Sequence, residues 1–247
     1  MPLRRKDRST DAQLRSSNVL LSRLPEREFE RLAPALEPIS VASGDVISQP
    51  GGFIEFVHFP LTAVAAVRVP LADGAQPAAE TIGHEGLVGL PVLLGDDRSP
   101  HLVSWFLAGN ALRIRSVDLL AATMPFGELA QDLAAYAETR MAVMQQSVVC
   151  AVRHDIRARS ARWVLTLSDN AATDRLDFTH EGLALILGVS RQSVSLALEG
   201  LAVDQLIAFH SGHLLILSRS GLESAACECY ASLRSEWQRI FGGSLGA

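Results

Sequence analysis

A single glycine, Gly188, separates two short helical patterns, and this constrains the chain more than any other feature of it. Thr179 is a suitable N-cap for the first pattern, in which Glu181, Leu183, Ala184, Ile186 and Leu187 precede the glycine. Glycine accepts the left-handed backbone conformation that ends a helix. Val189 then offers an apolar anchor, Ser190 can cap a second helix, and Val194, Leu198 and Leu201 recur at the spacing of one buried helical face. Two short helices across a tight glycine-containing turn predict a helix-turn-helix from Thr179 to Leu201.

What stays exposed on the second helix carries the chemistry. Arg191, Gln192, Ser193 and Ser195 fall near its N-terminal end. Unpaired amides and the helix dipole favour phosphate there, and short polar side chains at that end can enter a major groove. An arginine can grip a guanine edge and a glutamine an adenine edge. Downstream, Leu206 to Phe209 and Leu214 to Leu217 read as two short strands joined by His210-Ser211-Gly212-His213, with Ser211-Gly212 as the hairpin turn. Ser220-Gly221-Leu222-Glu223 has the spacing of a capping box that would open a C-terminal helix carrying Leu222, Ala226 and Leu233.

Upstream the patterning changes twice. Residues 1–17 are polar and arginine-rich, with Arg4, Arg5, Lys6 and Arg8, and read as a flexible basic tail. Leu20, Leu21 and Leu24, then Phe29, Leu32 and Leu36, predict two short helices around Pro25. Between Pro38 and Ile114 short β-branched runs (Val46-Ile47, Val64 to Val69, Leu102 to Leu107) alternate with turn clusters at Ser43-Gly44-Asp45, Gln49-Pro50-Gly51-Gly52, Ala72-Asp73-Gly74 and Gly95-Asp96-Asp97. That rhythm predicts a small barrel or roll. From Pro125 to about Ala151 a long helix is expected, with Leu129, Leu133, Tyr136, Arg140, Met141, Met144 and Val148 on one stripe that suits either the core or the seam of a parallel dimer. A further helix over Arg157 to Leu167 is expected to stop at Ser168-Asp169-Asn170.

The run Thr179-His180-Glu181-Gly182-Leu183-Ala184-Leu185-Ile186-Leu187-Gly188-Val189-Ser190-Arg191-Gln192-Ser193-Val194 resembles the winged helix of the Crp/Fnr superfamily of transcription regulators. Ile82-Gly83-His84-Glu85-Gly86-Leu87-Val88-Gly89 resembles that family's turn within its N-terminal roll, and the order of parts is similar over nearly the whole chain. The resemblance implies an α+β fold: a β-roll of the cyclic-nucleotide-binding, jelly-roll type (18–122), a long dimerisation helix (123–152) and a C-terminal winged helix-turn-helix (153–247). It implies a homodimer that inserts a recognition helix, about 190–201, into the major groove of a double-stranded DNA operator, with RNA polymerase as a further candidate partner. Thr179, Ser190, Arg191, Gln192, Ser193 and Ser195 are the expected DNA-contacting residues. Leu196 departs from the family pattern, standing where the cyclic-AMP receptor has a second base-reading arginine. The competing reading is a protein–protein interaction module of the same architecture without specific DNA binding.

The expected effector is not cyclic AMP, and the roll could act without one. In cyclic-AMP receptors the matching turn supplies a glutamate to the ribose hydroxyl, whereas Leu87 of Gly86-Leu87-Val88-Gly89 cannot accept that proton. Gly86, Leu87 and Arg98 are the remaining weak effector-binding candidates. Clustered N-terminal thiolates are missing, which excludes an iron–sulfur cluster of the family's kind on residue type. His58, His84 and His101 show no spacing that pairs them for haem. Cys227 and Cys229 are expected on a helix, where i and i+2 side chains diverge, so burial is expected rather than a metal or redox role. No cofactor or metal is therefore expected.

Composition bounds the rest. With 247 residues, 48% hydrophobic content and only three cysteines, the chain reads as an ordinary globular protein of a reducing cytoplasm, and no apolar run approaches the roughly 20 residues of a membrane span. The net charge of −5 gives no global signature of a nucleic-acid binder, so any basic face must be local. No phosphate-cradling loop, zinc-ligand spacing or nucleophile elbow points to catalysis. Glu80, Glu85, Asp96 and Asp97 read as turn formers.

Overall fold

The computed structural model describes residues 15–123 and 127–242. Arg4, Arg5, Lys6, Arg8 and Pro125 lie outside the described residues. Arg15, at the start of the described residues, is anchored, its guanidinium donating to the Leu24 carbonyl and pairing with Glu26.

Two short helices, α1 (Val19–Arg23) and α2 (Glu26–Leu32), flank Pro25 as the apolar spacing requires. Asn18 starts α1: its side chain accepts from Leu21 N at 3.2 Å and donates to the carbonyls of Pro60 and Gly86 at 3.0 and 2.9 Å. The roll follows as β1 (Glu37–Val41), β2 (Val46–Ser48), β3 (Phe56–Pro60), β4 (Val64–Arg68), β5 (Ala78–Ile82), the short α3 (Leu90–Leu93), β6 (Leu102–Leu107) and β7 (Gly109–Arg115). Its two antiparallel sheets run β1-β7-β3 and β2-β6-β4-β5. All four expected turn clusters lie between these elements. Glu80 does not form a turn; it sits inside β5.

After α4 (Ser116–Thr123), the long helix α5 spans Glu128–Arg153. The stripe read along it divides. Leu129, Leu133, Tyr136 and Arg140 face the protein's own core, whereas Met141, Met144 and Val148 are exposed on another face. Arg140 is the hinge of that division, only 3% exposed, with its guanidinium bonded to Glu80, donating to the Thr81 carbonyl at 3.2 Å and lying 3.7 Å from Glu85. Burial raises the Glu85 carboxyl above its ordinary range, against the pull of Arg140. Next to it, Tyr136 donates to the Leu87 carbonyl at 3.1 Å and packs so closely on Gly86 that a Cβ there would lie 2.3 Å from the phenol oxygen.

The C-terminal part comprises α6 (Ile156–Ala171), β8 (Arg175–Leu176), α7 (His180–Leu187), α8 (Arg191–Val203), β9 (Ile207–His210), β10 (His213–Ile216), α9 (Arg219–Ala225) and α10 (Cys229–Phe241). Three expectations are corrected here. Helix α6 does not stop at Ser168-Asp169-Asn170; it runs on to Ala171 and is closed by Ala172 in the left-handed region, because those polar side chains find partners in the core. Asp169 accepts from Tyr230 at 2.8 Å and pairs with Arg219, and the Asn170 carbonyl accepts from His84 N at 3.1 Å. The cap of α9 is Ser218, not Ser220, and Glu223 turns instead toward Arg219 and Arg234. The expected single C-terminal helix is two, so Cys227 lies in the connection ahead of α10 rather than on a helix with Cys229.

The last helix returns to the beginning of the chain. Trp237 and Phe241 join the core built by α1, α2, the β1-β7-β3 sheet and α5, and Arg23 donates to the Phe241 carbonyl at 2.6 Å. Removing Arg140 strands the buried Glu85 and the half-buried Glu80, so Arg140→Ala is expected to lower the unfolding free energy by about 3–5 kcal/mol in urea denaturation. Adding Glu80→Gln to Arg140→Ala should recover part of that loss; full additivity of the two changes would contradict a coupled cluster.

Candidate nucleic-acid interface

Local signals set the geometry of the helix pair. Thr179 Oγ1 accepts from Gly182 N at 3.0 Å and starts α7, and Gly188 ends it at φ 64°, a conformation that suits a residue without Cβ. Ser190 then caps α8, its Oγ accepting from Ser193 N at 3.1 Å. Val194, Leu198 and Leu201 are fully buried against α6 and α7, which sets the rotation of α8 and hence what it presents outward.

Arg191 and Gln192 are exposed on the first turn of α8, beside the exposed Ser190. Ser193 is half-buried, with its hydroxyl 2.9 Å from that of Ser190, so it serves the cap. Ser195 is held by His180, whose Nδ1 lies 2.8 Å from its Oγ, and the His180 ring also meets Phe209 of β9 edge-on at 5.3 Å. Leu196 stands 62% exposed on the outer face, and Glu199 and Val203 extend that face toward the C-terminus. His180 and Glu199 belong to this surface without being singled out by the sequence motifs. Glu199 is open to discovery from its spacing, seven residues after Gln192 and on the same face; the His180 contact, fifteen residues from Ser195, leaves no local signal.

The wing forms as read. Strands β9 and β10 pair with His210 opposite His213, and Ser211 and Gly212 both take positive φ, 50° and 83°, as a type I′ turn needs. β8 adds a third strand, and His213 bonds Asp177. Thr179 and His213 line a crevice between this domain and the roll. Phe106 stacks on Phe178 there at 6.1 Å, and Gly182 leaves room for Phe106, which a Cβ would meet at 2.9 Å.

The three effector candidates are not brought together. Gly86 abuts Tyr136, Leu87 is fully buried in the core beneath α5, and Arg98 lies outside, 4.0 Å over the Phe53 ring and donating to the Gly51 carbonyl at 2.8 Å. The roll instead carries an open pocket of about 390 Å³ lined by Ile47, Phe56, Val67, Ile82, Val88 and His58, with Glu80, His101 and Met144 of α5 also on its wall. Burial, aided by Arg113, lowers the His58 pKa to about 4, so the imidazole is neutral near pH 7, and its buried Nδ1 has no partner among the described residues. His84 lies elsewhere, 3.1 Å from the Asn170 carbonyl through Nδ1.

Comparison with known proteins places this geometry. Residues 158–225 match the Crp-like helix-turn-helix domain family. No curated protein matches the sequence. Among solved structures, FixK2 from Bradyrhizobium japonicum superposes with a TM-score of 0.67 at 15% identity, over 78% of this chain and 98% of that one. A CRP-family transcriptional regulator of Thermus thermophilus gives 0.62 at 18% identity, over 85% and 99%. A second regulator of that organism, of the CRP/FNR family, gives 0.59 at 21% identity, over 77% and 98%. No helix among the described residues is long and apolar enough to cross a membrane. The chain thus has the fold of the Crp/Fnr-type regulators, with a Crp-like helix-turn-helix domain at residues 158–225.

Proposed function

We propose that the chain is a sequence-specific DNA-binding transcription regulator that acts as a homodimer, with α8 in the major groove. The observation that carries this reading is the outward face of α8, where Arg191 and Gln192 stand exposed on the first turn while the opposite face is locked by Val194, Leu198 and Leu201. Arg191 grips a guanine edge, Gln192 reads an adenine, and Ser190 and Thr179 meet phosphates at the two helix N-termini. Ser193 and Ser195 hold the cap and the His180 contact, which makes them supports rather than readers. Leu196 presents an apolar face suited to a thymine methyl group. The local arginine suffices despite the acidic balance, because charges beyond about 8 Å are screened at physiological salt.

Dimerisation through α5 is supported by its unpaired apolar face. Met141, Met144, Val148 and Val152 are exposed at spacings of three, four and four residues, the seam pattern of paired helices. A second copy offering the same stripe would cover it. In this reading the regulator does not take cyclic AMP in the manner of its receptors, since Leu87 serves the core and Arg98 the surface.

Arg191→Ala is expected to weaken operator binding by about 1–3 kcal/mol and to relax selectivity at one base position, read by fluorescence anisotropy on matched and mutated duplexes. A uniform loss with a salt slope smaller by about 1 would reassign Arg191 to phosphate, and unchanged affinity would remove it from the interface. Val148→Glu should turn the dimer into a folded monomer in sedimentation analysis, because Val148 already faces outward within one chain. A persistent dimer would place the seam elsewhere.

A further inference from the structure

We propose that Cys150, His154, Cys227 and Cys229 form a tetrahedral zinc site that pins the end of α5 to the start of α10 and the connection before it. Their ligand atoms all lie within 4.8 Å of one another, although the two pairs are more than seventy residues apart in the chain. Cys150 Sγ is 3.5 Å from Cys227 Sγ, and Cys229 Sγ is 3.6 Å from His154 Nδ1. Zinc bonded to sulfur at about 2.3 Å and to nitrogen at about 2.0 Å makes a tetrahedron with edges of about 3.8 and 3.5 Å, so a single ion fits the separations already present.

The surrounding groups point the same way. His154 Nε2 is 3.1 Å from the Glu228 carboxylate, so it donates its proton there and leaves the Nδ1 lone pair facing the thiols. A carboxylate holding the far nitrogen of a ligating histidine is a recurrent feature of zinc centres. Gln146 Nε2 donates to Cys229 Sγ at 2.9 Å, a contact that steadies a thiolate. All three cysteines are buried, leaving no open coordination position, as in structural rather than catalytic zinc sites. Three thiolates and an imidazole select a soft or borderline ion over magnesium or calcium, and binding releases the three thiol protons. A disulfide between Cys150 and Cys227 would account for neither the oriented imidazole nor the Gln146 contact at the third thiol.

The site joins the helix that carries the dimer seam to the domain that carries α8. Its regulatory consequence rests on the function proposed above, but its existence does not, and the two are tested separately.

The full chain, purified under reducing conditions and stripped by a chelator, is titrated with Co²⁺ and followed by absorption. The expected result is one Co²⁺ per chain, with strong visible bands of a tetrahedral ion and near-ultraviolet thiolate-to-cobalt charge transfer, both abolished by one equivalent of Zn²⁺. Cys150→Ala with Cys227→Ala should remove the charge-transfer band, circular dichroism reporting whether that variant folds. The wild-type titration decides without it. Weak six-coordinate absorption lacking charge transfer, or a Cys150–Cys227 disulfide in the reduced preparation, would overturn the proposal whatever the protein does with DNA.

Discussion

The buried guanidinium of Arg140 is the interaction on which the rest of the arrangement depends. A charge removed from water is tolerated only with close partners, and Arg140 finds Glu80 and the Thr81 carbonyl in β5 and Glu85 in the turn that follows. That requirement fixes α5 against one particular edge of the roll. The same turn approaches α6, where the Asn170 carbonyl accepts from His84 N, and the absence of a side chain on Gly83 allows the contact, since a Cβ would lie 2.4 Å from that oxygen. Roll, long helix and winged domain therefore meet at one turn, Ile82 to Gly89. Glu80 and Ile82 both line the pocket of the roll, and Glu80 is at the same time a partner of Arg140.

From that joint outward, the orientation of α8 is set by packing rather than by charge. Helix α6 buries the inner face of α8, and Phe106 of the roll seats against Phe178 and Gly182 beside α7. The position of Arg191 and Gln192 is thus tied to both domains. The C-terminal helix closes the circuit, with Trp237 stacked on Phe241 at 5.0 Å inside the core that α1 begins.

How much of this is legible in the sequence follows from the range of each interaction. Caps, a left-handed glycine, a two-residue hairpin turn and one-sided apolar spacing act within a few residues, which is why Thr179, Gly188, Ser190 and Ser211-Gly212 can be read directly. Ser168-Asp169-Asn170 has the look of a helix end because such side chains compete locally for the backbone, yet Tyr230 and Arg219 engage the Asp169 carboxylate from far along the chain. Ser218 and Ser220 offer equivalent local caps, and the close packing of Gly221 on Leu206 accompanies the earlier one. The stripe on α5 cannot reveal its two faces, since Met141 is as apolar as Leu133 and only the position of the roll distinguishes them. Glu80 and the cysteine cluster escape a sequence reading for the same reason: their partners lie sixty or more residues away.

The central claim, a dimer whose two α8 helices read successive major grooves, is tested most directly by selecting duplexes from a random pool with the full protein and sequencing those retained. The account predicts an inverted repeat whose half-sites are centred about 34 Å, one helical turn, apart, each with a guanine preference that vanishes when Arg191 is replaced. Retention of a single half-site, or no sequence enrichment at any salt concentration, would contradict it.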